Sequence, residues 1–179
     1  KMSELEALKV MVLLSGGVDS TACIGYYIKK KYQIYALFIN YGQQDIEKES
    51  VAATAVADYY NIPLYEITVD GFSVPEGYIP GRNAMLLSLA LMNCPFNQGI
   101  VALGIHSGTS YQDCSPEFEK LMQKIYLLYE EGRIRIDAPF LKWTKSEIID
   151  FGKMIKIPLQ LTFSTNPDEM PREYQNSNN

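Results

Sequence analysis

The sequence predicts an α/β domain with a mainly parallel five-stranded sheet and helices on both faces. Three observations predict it. Short apolar runs alternate with stretches of helical character. The first run stops at a glycine pair, as a buried strand does when it enters a loop. The length, 179 residues, suits one domain with a substantial core.

The elements follow in order. Lys9 to Leu14 reads as a first buried strand, and Ser20 to Lys30 as a helix whose closing lysines suit a helix C-terminus. Ile34 to Ile39 is a second strand, Glu47 to Tyr60 an alanine-rich helix, and Leu64 to Val69 a third strand. This β-α-β-α-β start argues for parallel strands joined by helical crossovers. Asp70 to Arg82, with three glycines and two prolines, is a loop. Asn83 to Met92 is apolar all round, so a fully buried helix is expected. Ile100 to Ile105 is a fourth strand. Ser115-Pro116 opens a helix expected to reach about Glu131, with Ser as N-cap and Pro in the first turn. Thr144-Lys145-Ser146-Glu147 is a capping-box pattern for a last helix, which ends before Pro158. The expected domain spans residues 1–165, and the polar stretch 166–179 reads as a loose tail.

Bulk properties narrow the function. The net charge of −5 disfavours a nucleic-acid backbone as the main partner. No run is long enough to span a membrane, and no signal peptide precedes the first strand, so a cytoplasmic protein is expected. Cys23, Cys94 and Cys114 form no CxxC pair and read as isolated reduced thiols.

The chemistry-bearing string is Ser15-Gly16-Gly17-Val18-Asp19-Ser20, between the first strand and the first helix. Ligands of open α/β sheets bind at the carboxyl ends of strands. The two glycines free the backbone to turn several N–H groups inward as an anion nest. The following helix adds unpaired N–H groups and the positive end of its dipole. Ser15, Ser20 and Thr21 offer hydroxyls. No lysine follows the glycines, so the loop is not a Walker A loop. Asp19 stands there instead, and a carboxylate beside phosphates calls for a cation between them. Asp19 is therefore the expected Mg²⁺ contact.

With its position after the first strand, the SGGVDS string resembles the PP-loop family of ATP pyrophosphatases. Further elements resemble the 7-cyano-7-deazaguanine synthases of that family. Asn40-Tyr41-Gly42-Gln43 is similar to their DYGQ element, and Ile79 to Asn83 (IPGRN) to their VPGRN. Tyr111 to Phe118 (YQDCSPEF) is similar to YPDCRPEF, and Pro139 to Glu147 to their PL..W.DKAE stretch. The elements keep the family order from about residue 10 to 165. The chain departs from the pattern at Asn40, Gln112 and Ser115, and its segment from Val69 to Tyr78 is shorter. The family carries four zinc-binding cysteines near its end. Here Thr165 stands where the first would fall and no cysteine follows, so no zinc is expected.

The resemblance implies an adenine-nucleotide α-hydrolase-like three-layer sandwich. It implies ATP and Mg²⁺ as cofactors, a small 7-deazaguanine carboxylate as substrate, ammonia or another amine as co-substrate, and a homodimer. The carboxylate would be adenylated with release of pyrophosphate and converted to amide or nitrile. In that scheme Leu14, Ser15, Gly16, Gly17, Val18, Asp19, Ser20 and Thr21, with Tyr41 and Gln43, hold the nucleotide, while Lys145, Arg82 and Asp113 are the catalytic candidates. Lys145 and Arg82 sit where a helix starts, an unfavourable place for a cation unless an anion is near. Asp113 is a candidate acceptor for a guanine-like edge, and Tyr41 and Tyr111 for base stacking. Cys114 reads as a small buried thiol, Glu117 as a helix-start acid, and His106 as a core or loop residue. Two alternatives stay open: a ligase that joins the activated acid to another amine, including one on a protein, and a nucleotide-binding module without turnover.

Overall fold

A computed structural model describes residues 7–71 and 73–164. The expected tail over 166–179, and Thr165, lie outside the described residues. Five strands and five α-helices alternate: β1 (Lys9–Leu13), α1 (Val18–Lys29), β2 (Gln33–Asn40), α2 (Ile46–Tyr60), β3 (Leu64–Thr68), α3 (Arg82–Met92), β4 (Gly99–Ala102), α4 (Pro116–Tyr126), β5 (Ile134–Asp137) and α5 (Lys145–Met154). The sheet order is β3-β2-β1-β4-β5, and every pairing is parallel. The order reverses between β1 and β4, the switch point where such sheets open a crevice.

The two-residue period of the strands divides the core into two layers. Val10 and Val12 of β1, with Ala36 and Phe38 of β2, meet Ala22, Cys23 and Ile24 of α1, Ala53 and Val56 of α2 and Ile148 of α5. Met11, Leu37 and Ile39 point the other way, toward Leu87 and Ala90 of α3 and Met122 and Tyr126 of α4. The result is the three-layer sandwich with its parallel five-stranded sheet. No described helix is long and apolar enough to cross a membrane.

Several expectations are corrected. The fifth strand, β5, is the four-residue Ile134–Asp137, too short to have stood out in the sequence. Helix α4 stops at Tyr126 rather than near Glu131: Leu128 N and Tyr129 N close tighter turns on Ile125 O and Tyr126 O, Tyr129 is extended, and the positive φ of Glu130, Glu131 and Gly132 keeps the helix from resuming. Helix α3 is not buried all round: Leu87 and Ala90 are covered, while Met92 is 79% exposed. Helix α1 begins at Val18, two residues early, and β4 ends at Ala102, with Leu103 to Ile105 already in the loop above it.

Local capping agrees with the sequence. Ser115 Oγ accepts from Phe118 N at α4, with Pro116 in the first turn. At α5, Glu147 N donates to Thr144 Oγ1 at 3.2 Å and Thr144 N donates to Glu147 Oε2 at 2.7 Å. That closed box fixes the first turn, which carries Lys145. Thr144→Ala should cost about 1 kcal/mol of stability, while Thr144→Ser should keep most of it; urea midpoints followed by circular dichroism check both.

Candidate active site

The chain leaves β1 at Leu13 and enters α1 through a turn stitched by its own serines. Ser15 N donates to Ser20 Oγ at 3.2 Å, and the two hydroxyl oxygens lie 3.2 Å apart. Ser20 Oγ also donates to Gly17 O at 3.3 Å. Gly16 has φ +82°, and a Cβ there would lie 2.7 Å from Ala52 Cβ and 2.8 Å from the α2 backbone. Glycine is thus demanded twice, by conformation and by contact. Helix α1 has Gly17 as N-cap and no side-chain cap, so its first-turn N–H groups remain for a ligand or water. From the other side, Gly104 approaches so closely that a Cβ would stand 2.8 Å from Asp19 C and O. The segment after α5 closes over the loop, with Phe163 N donating to Gly16 O at 2.9 Å.

A cavity of about 340 Å³ opens beside this turn, over the carboxyl ends of β1, β2 and β4. Among the predicted site residues, Leu14, Ser15, Asp19, Ser20, Tyr41, Gln43 and Arg82 line it. Gly16, Gly17, Val18, Thr21, Asp113 and Lys145 do not. Val18 and Thr21 are buried, at 3% and 0% exposure, because the helix turns them toward the core, and Thr21 Oγ1 has no partner there. The expected hydroxyl contribution thus reduces to Ser15 and Ser20.

Three polar groupings surround the cavity. In the first, Lys145 Nζ donates to Asp19 Oδ1 at 2.8 Å, and His106 Nε2 lies 3.8 Å from Asp19 Oδ2. Lys145 therefore reaches the phosphate loop from α5, 126 residues away. In the second, Gln43 acts as a bracket. Its Oε1 accepts from Tyr41 N at 2.9 Å, and its Nε2 donates to Ile39 O at 3.2 Å and Glu49 Oε2 at 2.9 Å. Its polar atoms organise the wall, and Glu49 is what the bracket presents. The Arg82 guanidinium acts electrostatically on the Tyr41 hydroxyl. Burial pushes the Tyr41 hydroxyl up, against the pull of Arg82. Burial likewise pushes the Glu49 carboxyl up, and its bond from Gln43 only partly opposes this. In the third, buried Asn83 donates from Nδ2 to the Asp113 carbonyl at 3.1 Å, with Cys114 Sγ at 3.9 Å. Asp113 is 9% exposed and its Oδ1 has no partner. Tyr111 stacks on Tyr78 at 5.0 Å and 25°. Burial raises the Cys114 thiol, which suits the inert thiol expected there.

Glu49, Asn83, Gly104 and His106 all line the cavity and were not singled out as site residues. Glu49 looks like any acid in a first helical turn, beside Glu47. Gly104 follows an apolar run, and a glycine there does signal close backbone approach.

The donor set can be tested against the groups the resemblance implies. Among the described residues no three His, Cys, Asp or Glu side chains gather into a metal-sized group. Mg²⁺ commonly takes one or two carboxylates and completes its shell with phosphate oxygens and water. One carboxylate beside an uncapped helix start fits that pattern, and Lys145 Nζ is the positive charge now on Asp19.

Two predictions follow from this geometry. Gly104→Ala should push the α1 start away from the cavity and weaken pyrophosphate binding about tenfold or more, a change of at least roughly 1.4 kcal/mol by titration calorimetry. The second concerns Glu49, whose carboxyl is raised by burial. A raised acid favours the fold below its unfolded value and loses that contribution as pH rises through its folded value. Glu49→Gln should therefore be more stable than the parent at pH 7, with the difference shrinking below the ordinary glutamate range; unfolding midpoints across pH measure it.

Comparison with known proteins accords with the geometry. The chain matches the family described as queuosine biosynthesis protein QueC over residues 9–74 and 66–173. It is 31% identical to the 7-cyano-7-deazaguanine synthase of Oceanobacillus iheyensis, covering 87% of this chain and 83% of that protein. It is 34% identical to the one of Desulfitobacterium hafniense, covering 87% and 78%. In fold it is similar to the U34-tRNA thiolase NcsA of Methanococcus maripaludis, with a TM-score of 0.57 at 16% identity, covering 98% of this chain and 65% of that one. It is also similar to the NH3-dependent NAD synthetase of Campylobacter jejuni, with a TM-score of 0.50 at 15% identity, covering 93% of this chain and 73% of that one. The glycine turn, the cavity over the strand ends and these matches converge: the chain belongs to the QueC family.

Proposed function

We propose that this protein activates a 7-deazaguanine carboxylate with ATP and converts it to the amide and then the nitrile. The observation that carries the reading is the uncapped start of α1 after the glycine turn, with Asp19 and Lys145 paired beside the cavity. In the first step a carboxylate oxygen of the substrate attacks the α-phosphorus of ATP. The bond from that phosphorus to the bridging oxygen breaks, and pyrophosphate departs with the electron pair. Ammonia then attacks the activated carbonyl and AMP leaves, giving the amide. A second ATP activates the amide oxygen, which departs with AMP to leave the nitrile.

The residues have positioning and electrostatic work in these steps. First-turn N–H groups of α1 and the Ser15 and Ser20 hydroxyls receive the pyrophosphate portion. Lys145 moves from Asp19 to the phosphates as they arrive, so its charge follows the developing negative charge. Asp19 would hold Mg²⁺, which supplies charge neutralisation of the phosphates when bound. Arg82, which lines the same cavity, suits the substrate carboxylate or the α-phosphate. Asp113, with its unpartnered Oδ1, is our candidate acceptor for the N–H groups of the base, reached by adjustment of its turn. Tyr111 and Tyr78 offer a stacking platform beside it. A homodimer in the cytoplasm belongs to the same reading.

The test is to incubate the protein with 7-carboxy-7-deazaguanine, ATP, Mg²⁺ and ammonium. AMP and pyrophosphate should form, dependent on the acid and on Mg²⁺, and the nitrile should appear by mass spectrometry. Lys145→Ala should lower kcat about a hundredfold, as loss of a transition-state charge partner does. ATP binding without acid-dependent pyrophosphate would replace this reading with the nucleotide-binding module.

A further inference from the structure

The proposed reaction joins two anions, a nucleotide and a carboxylic acid, yet the cavity wall holds two carboxylates, Asp19 and Glu49. Asp19 has Lys145 at 2.8 Å. Among the described residues Glu49 has no such cation: its close polar partner is the neutral amide of Gln43, at 2.9 Å. Gln43 is itself fixed at both ends, by Tyr41 N and Ile39 O, so the bracket aims Glu49 and leaves it little freedom. Arg82 supports the Glu49 charge less than Gln43 does, and it also acts electrostatically on Tyr41. A second acid beside two anionic substrates repels them unless its own ligand is a cation. The remaining reactant of the proposed chemistry is an amine, which reaches a neutral solution as ammonium.

We propose that Glu49 is the binding and deprotonating site for that ammonium. The inference rests on the adenylation reading and deepens it. Glu49 and Arg82 line the same cavity, and the guanidinium lowers the Glu49 carboxyl electrostatically, so an ammonium on the acid and a carboxylate on the guanidinium would share one chamber. Ammonium donates hydrogen bonds to the Glu49 carboxylate and transfers one proton to it. The freed nitrogen lone pair forms the C–N bond to the acyl carbon, the C–O bond to AMP breaks with its electrons leaving on AMP, and the departing phosphate takes the second proton that the nitrogen sheds to become the amide. The burial-raised carboxyl makes the proton transfer less uphill than it is to an ordinary glutamate. Gln43 is then a positioning residue, acting through Glu49 rather than on the substrate.

The test separates the two half-reactions in the full-length chain. Exchange of labelled pyrophosphate into ATP, dependent on 7-carboxy-7-deazaguanine, reports adenylation alone. Amide formation with ammonium reports capture, and hydroxylamine supplies a nucleophile already neutral at pH 7.5. Glu49→Gln should keep the exchange and its rate with hydroxylamine, while its KM for ammonium rises about tenfold to a hundredfold, the scale of a lost hydrogen bond to a charged group. Glu49→Asp should recover part of the ammonium affinity. An unchanged KM for ammonium, or equal losses with both nucleophiles, overturns the assignment. Absence of acid-dependent exchange in the parent protein removes the adenylation reading, and this assignment with it.

Discussion

The structure depends on how closely backbone is allowed to approach the start of α1. Gly16 lies against α2 with no room for a Cβ, and Gly104 lies against Asp19 from the β4 side. These contacts hold the turn deep between neighbouring elements. The helix start then opens on the cavity instead of being covered by side chains. The same depth explains why Ser15 and Ser20 bond to each other: a turn without a side-chain cap needs internal ties to keep its shape. An anion bound there, as proposed, would require little reorganisation, the condition under which oriented N–H groups are most effective.

The elements that the sequence revealed are those whose physics is local. Strand β1 ends at glycines, α4 opens on Ser-Pro and α5 on a capping box, and each behaves as its residues require. The misjudged elements depend on distant partners. Apolarity around α3 does not tell which face meets the sheet, and α4 ends in tight turns and an extended Tyr129 ahead of the left-handed Glu130 and Glu131, which the sequence does not flag. β5 is a strand because β4 offers it an edge, not because IRID is compelling by itself.

The site divides in the same way. The glycine turn and Asp19 form one contiguous string, so they could be read directly. Lys145 could be suspected from its awkward place in a helix start, but its contact with Asp19 is made only by the fold. Gln43 is legible as a nucleotide contact because it sits in a recognisable element; that its hydrogen bonds hold the wall and Glu49 is visible only in the fold. Glu49 itself was invisible, since an acid in a first helical turn already has a sufficient local reason to be there.

That local reason does not account for where Glu49 ends up. A helix-start acid gains from the dipole while staying in water. Glu49 instead lines the cavity, and burial acts against its charge more strongly than Gln43 and Arg82 support it. A glutamine there would keep a hydrogen bond to Gln43 without that electrostatic penalty. A charge held where it weakens the fold points to a ligand that needs it, since binding restores what desolvation removes. Lys145 and Asp19 follow the opposite logic. They neutralise each other in the structure, and in the proposed reaction phosphates and a divalent cation would give each a stronger partner. One carboxylate is thus held ready by its own cation, the other by a neutral amide, and that difference assigns them to different reactants.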